Sequence, residues 1–233
     1  MSMHARQRMA LARKVVDVFG GRVSCTLGID VDGGDDEVER WFLAATLFGA
    51  RISARIVGQA FHELDRAGLV RVDQARHLLW ADLVRLLDQG GYVRYDFRTA
   101  TRLLDLSERV HERYGGRVSA IAREADTYPA LHAALDALPG WGPVTAGIFL
   151  RELRGVWDGA DPPLDEHALA AAHHLRLLTD TDPPLTQITG LAHAAGLDPR
   201  DLEGGLVQLA LRHAAHMGGC PGGPACAAIN QGQ

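Results

Sequence analysis

Residues 138–167 read LPGWGPVTAGIFLRELRGVWDGADPPLDEH. Apolar residues at helical spacing run up to Leu138 and resume at Val144. Gly140 and Gly142 flank Trp141 between the two segments. Two glycines at a helix–helix junction permit a tight or left-handed backbone and leave the amides unobstructed. The second helix is expected over 144–153, and its first N–H groups have no acceptor within the helix. The amides of such a turn and helix start form an anion site suited to a phosphate. A Gly-x-Gly by itself is more simply an ordinary turn between two helices. Further on, a Pro-rich loop ends at Asp165, ahead of the helical run HALAAAHHL. An Asp in that place reads as a helix N-cap.

The complete string resembles the helix-hairpin-helix DNA glycosylase superfamily, which includes endonuclease III, the adenine mismatch glycosylase and the alkylation-repair glycosylases. The matching residues are Leu138, Pro139, Gly140, Gly142, Thr145, Ala146, Asp165 and His167. FGARIS at 48–53 is similar to the turn that carries a Gln pair in alkylation-repair members. GYVRYDFRTATRLLDLSERVHERYGG at 91–116 is similar to a family helix closed by Gly-Gly, with Arg98 near its basic position. The resemblance covers roughly 37–174. It implies an all-α, two-lobed fold with the substrate base entering the cleft between the lobes. Residues 37–154 would form the lobe with the hairpin, and 1–36 with 155–233 the other.

The resemblance also implies a chemistry. Breaking an N-glycosidic bond develops positive charge on the sugar, which a carboxylate near C1′ stabilises while orienting or deprotonating water. Asp165 stands where the family has that carboxylate. Gly140, Trp141, Gly142, Val144 and Thr145 would meet double-stranded DNA. Arg51, in place of the Gln, would either fill the gap left by a flipped base or hold phosphate; as a solvated turn residue it would do neither. Trp141 has a second reading, since relatives commonly have a packed aliphatic residue there. Relatives that also cut the strand have a Lys where this chain has Val144, and a Schiff base needs an amine. Lys14 is the only lysine. The expectation is therefore a monofunctional glycosylase of base excision repair, with water as nucleophile. Thr46 aligns with the general-acid Glu of the adenine mismatch branch. Its lack of an acid turns the expectation toward alkylated or otherwise labile bases, with a mismatched base as the alternative. Two other readings stay open: a catalytically silent DNA-binding relative in which Asp165 is only a cap, and a helical protein-interaction module that no longer binds DNA.

Charge weighs on that choice. The net charge is −5, whereas a nucleic-acid binder is usually basic. A phosphate site made of backbone amides adds no formal charge, so the total does not decide. The chain has no apolar run long enough for a bilayer and no signal-peptide core in MSMHARQRMALARK. The expectation is a cytoplasmic, nucleoid-associated monomer with no membrane partner.

Three cysteines, Cys25, Cys220 and Cys226, suggest no disulfide framework. Many relatives close the C-terminus with a four-cysteine iron–sulfur cluster, which Cys220 and Cys226 alone cannot complete. No cofactor is expected. His213, His216, Cys220 and Cys226 have spacing suited to zinc. Two Gly-Gly pairs in that segment and eleven histidines in the chain weigh against it.

Periodicity predicts helices over 5–19, 37–48, 53–67, 97–114, 128–138, 144–153, 166–178, 185–195 and 202–216, with one or two short ones in 73–89. Asp35 or Asp36 is expected to cap the helix after the Gly-rich link 28–37. Trp41, Trp80 and Trp157 read as core. No strand alternation or internal repeat is present.

Overall fold

The computed structural model describes residues 3–49, 52–179, 182–213 and 217–230. Every regular element among them is helical. No helix among them is long and apolar enough to cross a membrane. The chain divides into two compact units, Leu27–Pro162 and the discontinuous pair Met1–Thr26 with Pro163–Gln233. The divisions expected after Asp36 and Arg154 thus fall inside the first of these units. Two local features hold those flanks there. Val31 is fully buried beside the helix that follows it, and the Arg154 guanidinium donates to the Pro162 carbonyl at 2.6 Å.

In sequence the continuous unit follows α1 (Met3–Phe19) and the short α2 (Val23–Thr26) of the other. It contains α3 (Asp35–Leu47), α4 (Ala54–Arg66), α5 (Trp80–Gln89), α6 (Asp96–Tyr114), α7 (Ser119–Glu124), α8 (Tyr128–Asp136) and α9 (Pro143–Glu152). α3 is its axis. Val38, Trp41, Phe42, Leu43, Ala44, Ala45 and Leu47 are all buried, because from Trp41 onward the helix has no charged residue on any side. α4, α7 and α9 pack on it, and α5 joins α4 to α6. Asp35 and Asp36 do not cap α3. Gly34 is the N-cap, with φ 109°, and Asp35, Asp36 and Glu37 occupy the first turn, where negative charge opposes the helix dipole.

One carboxylate lies inside this core. Glu39 is fully buried; its Oε1 accepts the Val118 N–H at 2.8 Å and lies 3.6 Å from Arg117 Nε. Burial outweighs those contacts and raises its pKa from 4.5 to about 7. A raised carboxyl pKa means that the folded state holds the proton more tightly than the unfolded chain. The associated stability is complete below the unfolded value of 4.5 and is lost as pH rises through about 7. Glu39→Gln keeps the acceptor for Val118 and cannot ionise. Urea denaturation should show the variant gaining on the parent by on the order of 2–3 kcal/mol between the acid and alkaline ends of that window. Parallel stability profiles for the two proteins would contradict the assignment.

The discontinuous unit combines α1 and α2 with α10 (Glu166–His174), α11 (Pro184–Ala195), α12 (Pro199–His213) and α13 (Ala227–Asn230). Leu11, Ala12, Val15 and Phe19 of α1 pack with Leu202, Leu206 and Leu209 of α12 and with Ile188 and Ala192 of α11. α10 buries only alanines along its length, Ala168, Ala171 and Ala172, so its backbone lies close to α12. The sequence pattern extends this helix to 178. It stops at His174 instead, and Arg176 takes φ 57°, a left-handed value that ends the helical path. Gly204 and Gly205 of α12 face the Gly20–Gly21 bend. A Cβ at Gly205 would sit 2.8 Å from the Gly20 carbonyl oxygen, so only a bare backbone fits there.

Candidate nucleic-acid interface and carboxylate site

The hairpin consists of α8, the turn 137–142 and α9. Gly140 adopts φ 78°, in the left-handed region. The Trp141 N–H closes the turn on the Leu138 carbonyl at 3.0 Å. Gly142 is the N-cap of α9, with extended φ of −158° and no side-chain cap bond. The helix begins at Pro143, one residue before the expected Val144. Proline suits the first helical position, where its missing N–H would be unpaired in any case. It also removes one amide from the anion site. The N–H groups of Gly142, Val144 and Thr145 have no backbone acceptor among the described residues.

Basic side chains stand beside this turn. A Cβ on Gly140 would lie 3.0 Å from Cδ of Arg102, whose aliphatic stem packs on the glycine. Arg98 lies one helical turn before Arg102 on α6 and is exposed. Burial and then the neighbouring Arg98 charge lower the Arg102 pKa. Two guanidiniums that repel one another gain from an anion placed between them. Asp136 is the opposing charge: its Oδ1 would be 4.0 Å from a Cβ at Gly142.

An aromatic cluster fixes the turn from below. The Trp141 ring stacks on Phe42 with centroids 4.4 Å apart and meets Phe149 edge-on at 5.4 Å. Its Nε1–H donates to Thr46 Oγ1 at 3.1 Å, and the Thr46 hydroxyl donates to the Phe42 carbonyl at 2.9 Å. Trp141 is therefore a core residue and not a surface for DNA bases, because ring and N–H are both used inside. Thr46 is likewise committed, and offers no acid. Thr145 is buried, whereas Val144 is 73 % exposed. Arg51 lies outside the described residues. Trp41 and Trp157 are core, but Trp80 is 41 % exposed beside Phe97, its Nε1–H donating to Thr101 Oγ1 at 3.0 Å.

Asp165 belongs to the other unit. It is the N-cap of α10, and its Oδ1 accepts from the His167 N–H at 2.8 Å and the Ala168 N–H at 3.4 Å. Its side chain keeps 27 % of its surface in solvent, and His167 Nδ1 lies 3.4 Å from the same oxygen. Glu203 of α12 is buried, and its Oε1 accepts the Asp165 N–H at 3.0 Å. The sequence reading missed Glu203. The available signal was a charged residue on the apolar face of α12, in LEGGL.

The same unit brings His174, His213, Cys220 and Cys226 together. His174 takes part although the spacing did not single it out, and His216 lies outside the described residues. Burial, and then His213, lower the His174 pKa and favour its neutral imidazole. Amide donation from Gly222 lowers the Cys220 thiol pKa, whereas burial raises that of Cys226. Lys14 of α1 donates to Asn230 Oδ1 at 2.9 Å.

No family model matches the chain, and no curated protein sequence matches it.

Proposed function

We propose that this chain binds double-stranded DNA through the α8–α9 hairpin and is a monofunctional DNA glycosylase of the helix-hairpin-helix type. The observation that carries this reading is the turn itself: Gly140 at φ 78°, packed on Arg102, ahead of the amides of Gly142, Val144 and Thr145, which have no backbone acceptor among the described residues. Amides at a helix start and two adjacent arginines suit one phosphate oxyanion. In this reading Asp165 stabilises the sugar cation, and Glu203, bonded to its backbone, is a positioning residue. The two-lobed glycosylase arrangement, with a flipped base between the lobes, belongs to the same proposal. So do its place in base excision repair, the alkylated or mismatched substrate, and a cytoplasmic, nucleoid-associated monomer. Val144 offers no amine for strand cleavage, so water is the nucleophile.

The two capping bonds of Asp165 favour a second reading, a DNA-binding protein without excision, since they account for a carboxylate at that position on their own.

Binding through the hairpin is tested by salt-dependent titration of duplex DNA. Gly140→Asp sets a carboxylate among the amides and a side chain at a left-handed φ. Arg102→Ala removes a charge, and the stem packed on Gly140, while leaving the turn's own residues unchanged. Arg102→Ala should weaken binding about equally for all sequences and reduce the salt slope by about 1. Gly140→Asp should weaken it further, with folding checked by circular dichroism. Unchanged affinity in both folded variants would exclude the hairpin as the DNA contact.

A further inference from the structure

Beyond that reading, and independent of it, we propose that His174, His213, Cys220 and Cys226 form a closed tetrahedral zinc site that fastens the C-terminal segment to α10 and α12. The four ligand atoms all lie within 4.8 Å of one another. The two Nε2 atoms of His174 and His213 are 3.2 Å apart, and Cys226 Sγ is 3.7 Å from His213 Nε2. A zinc ion with Zn–N near 2.0 Å and Zn–S near 2.3 Å in a tetrahedron separates two nitrogens by about 3.3 Å and nitrogen from sulfur by about 3.5 Å. These two spacings are within about 0.2 Å of those values; a pair at the 4.8 Å limit would close by about 1 Å on the ion.

The four ligands come from three pieces of chain. His174 is the last residue of α10 and His213 the last of α12, while Cys220 and Cys226 bracket the loop PGGPA before α13. That loop is seated on α10: Gly222 has φ 69°, and a Cβ there would run into the His174 carbonyl oxygen. The Arg176 guanidinium also reaches the Pro221 carbonyl, at 3.5 Å. His213 and Cys226 are buried, so the site is largely shielded from water.

A hydrogen bond between two imidazoles explains the His174–His213 spacing alone. It does not explain two thiols converging on the same point. Two soft thiolates with two imidazoles are a donor set for zinc. A two-iron cluster ligated by the same residue types puts its histidines and its cysteines on different irons. The close approach of Cys226 to His213 fits one ion better. Four protein ligands leave no open position, so the ion is structural rather than catalytic. It holds α10 at the end opposite Asp165.

The full chain, purified under reducing conditions, should contain close to one zinc per chain by elemental analysis. Exchange with cobalt(II) should give the visible bands of a tetrahedral thiolate complex. His174→Ala and Cys226→Ser should each lose the metal, whereas His216→Ala should retain it. The cobalt spectrum needs no variant, so a failure of Cys226→Ser to fold does not leave the question open. A folded chain that takes up neither metal would overturn the proposal. So would a Cys220–Cys226 disulfide in the folded protein, or retention of the metal by His174→Ala with its loss from His216→Ala.

Discussion

Asp165→Asn is expected to slow base release by on the order of 100-fold or more while leaving duplex affinity almost unchanged. The substitution separates the two roles of the side chain. Asn caps a helix about as well as Asp, so the bonds from the His167 and Ala168 amides survive. The Glu203 bond to the backbone N–H of residue 165 does not involve the side chain at all. What disappears is the negative charge that offsets the sugar cation. Affinity for undamaged duplex should stay level or rise slightly, because one repulsion from phosphate is gone. Single-turnover excision on a processed substrate, with binding measured in parallel, reads both effects. Near-full excision by the Asn variant would reduce Asp165 to a cap.

Trp141→Ala is expected to destabilise the continuous unit by about 3–5 kcal/mol, the range for truncating a buried aromatic residue. The ring fills the space among Phe42, Phe149 and the turn, and Phe149 also meets Trp157 at 5.3 Å. Trp141→Phe keeps an aromatic ring for the stack but removes the N–H donated to Thr46 and part of the ring volume. It should cost much less, about 1 kcal/mol from the lost hydrogen bond plus the smaller ring. Urea denaturation monitored by far-ultraviolet circular dichroism measures both. A loss below about 1 kcal/mol for the Ala variant would mean that the ring is not the foundation of the hairpin.

The features legible in the sequence were local. Helical spacing located α1, α4, α6 and α11 to within a few residues, and the Gly-x-Gly motif located the turn between α8 and α9. Asp165 was readable as a cap because capping depends on residues two or three positions away. α7 and α13 were missed, being too short for a periodic pattern. Trp141 illustrates a deeper limit. Its position in the motif allows both a ring that meets DNA and a packed one, and the partners that decide, Phe42 and Thr46, come from a helix about a hundred residues earlier. Glu203 and His174 were hidden for the same reason. Each acquires its role from the packing of α10 against α12, which no spacing rule records. Trp80 errs the other way, an aromatic residue left partly in solvent because its ring lies against Phe97 on the same surface.

Excision of a base is the activity proposed for this chain. Its most direct test incubates the full chain with duplexes that each carry one defined lesion or mismatch, and measures free base and strand breaks separately. Free base should appear from at least one duplex, with an alkylated purine the first choice. The strand should remain intact until alkali is added, and borohydride should trap no protein–DNA adduct. Firm, salt-dependent binding with no base released from any duplex would contradict it and leave Asp165 as the cap of α10.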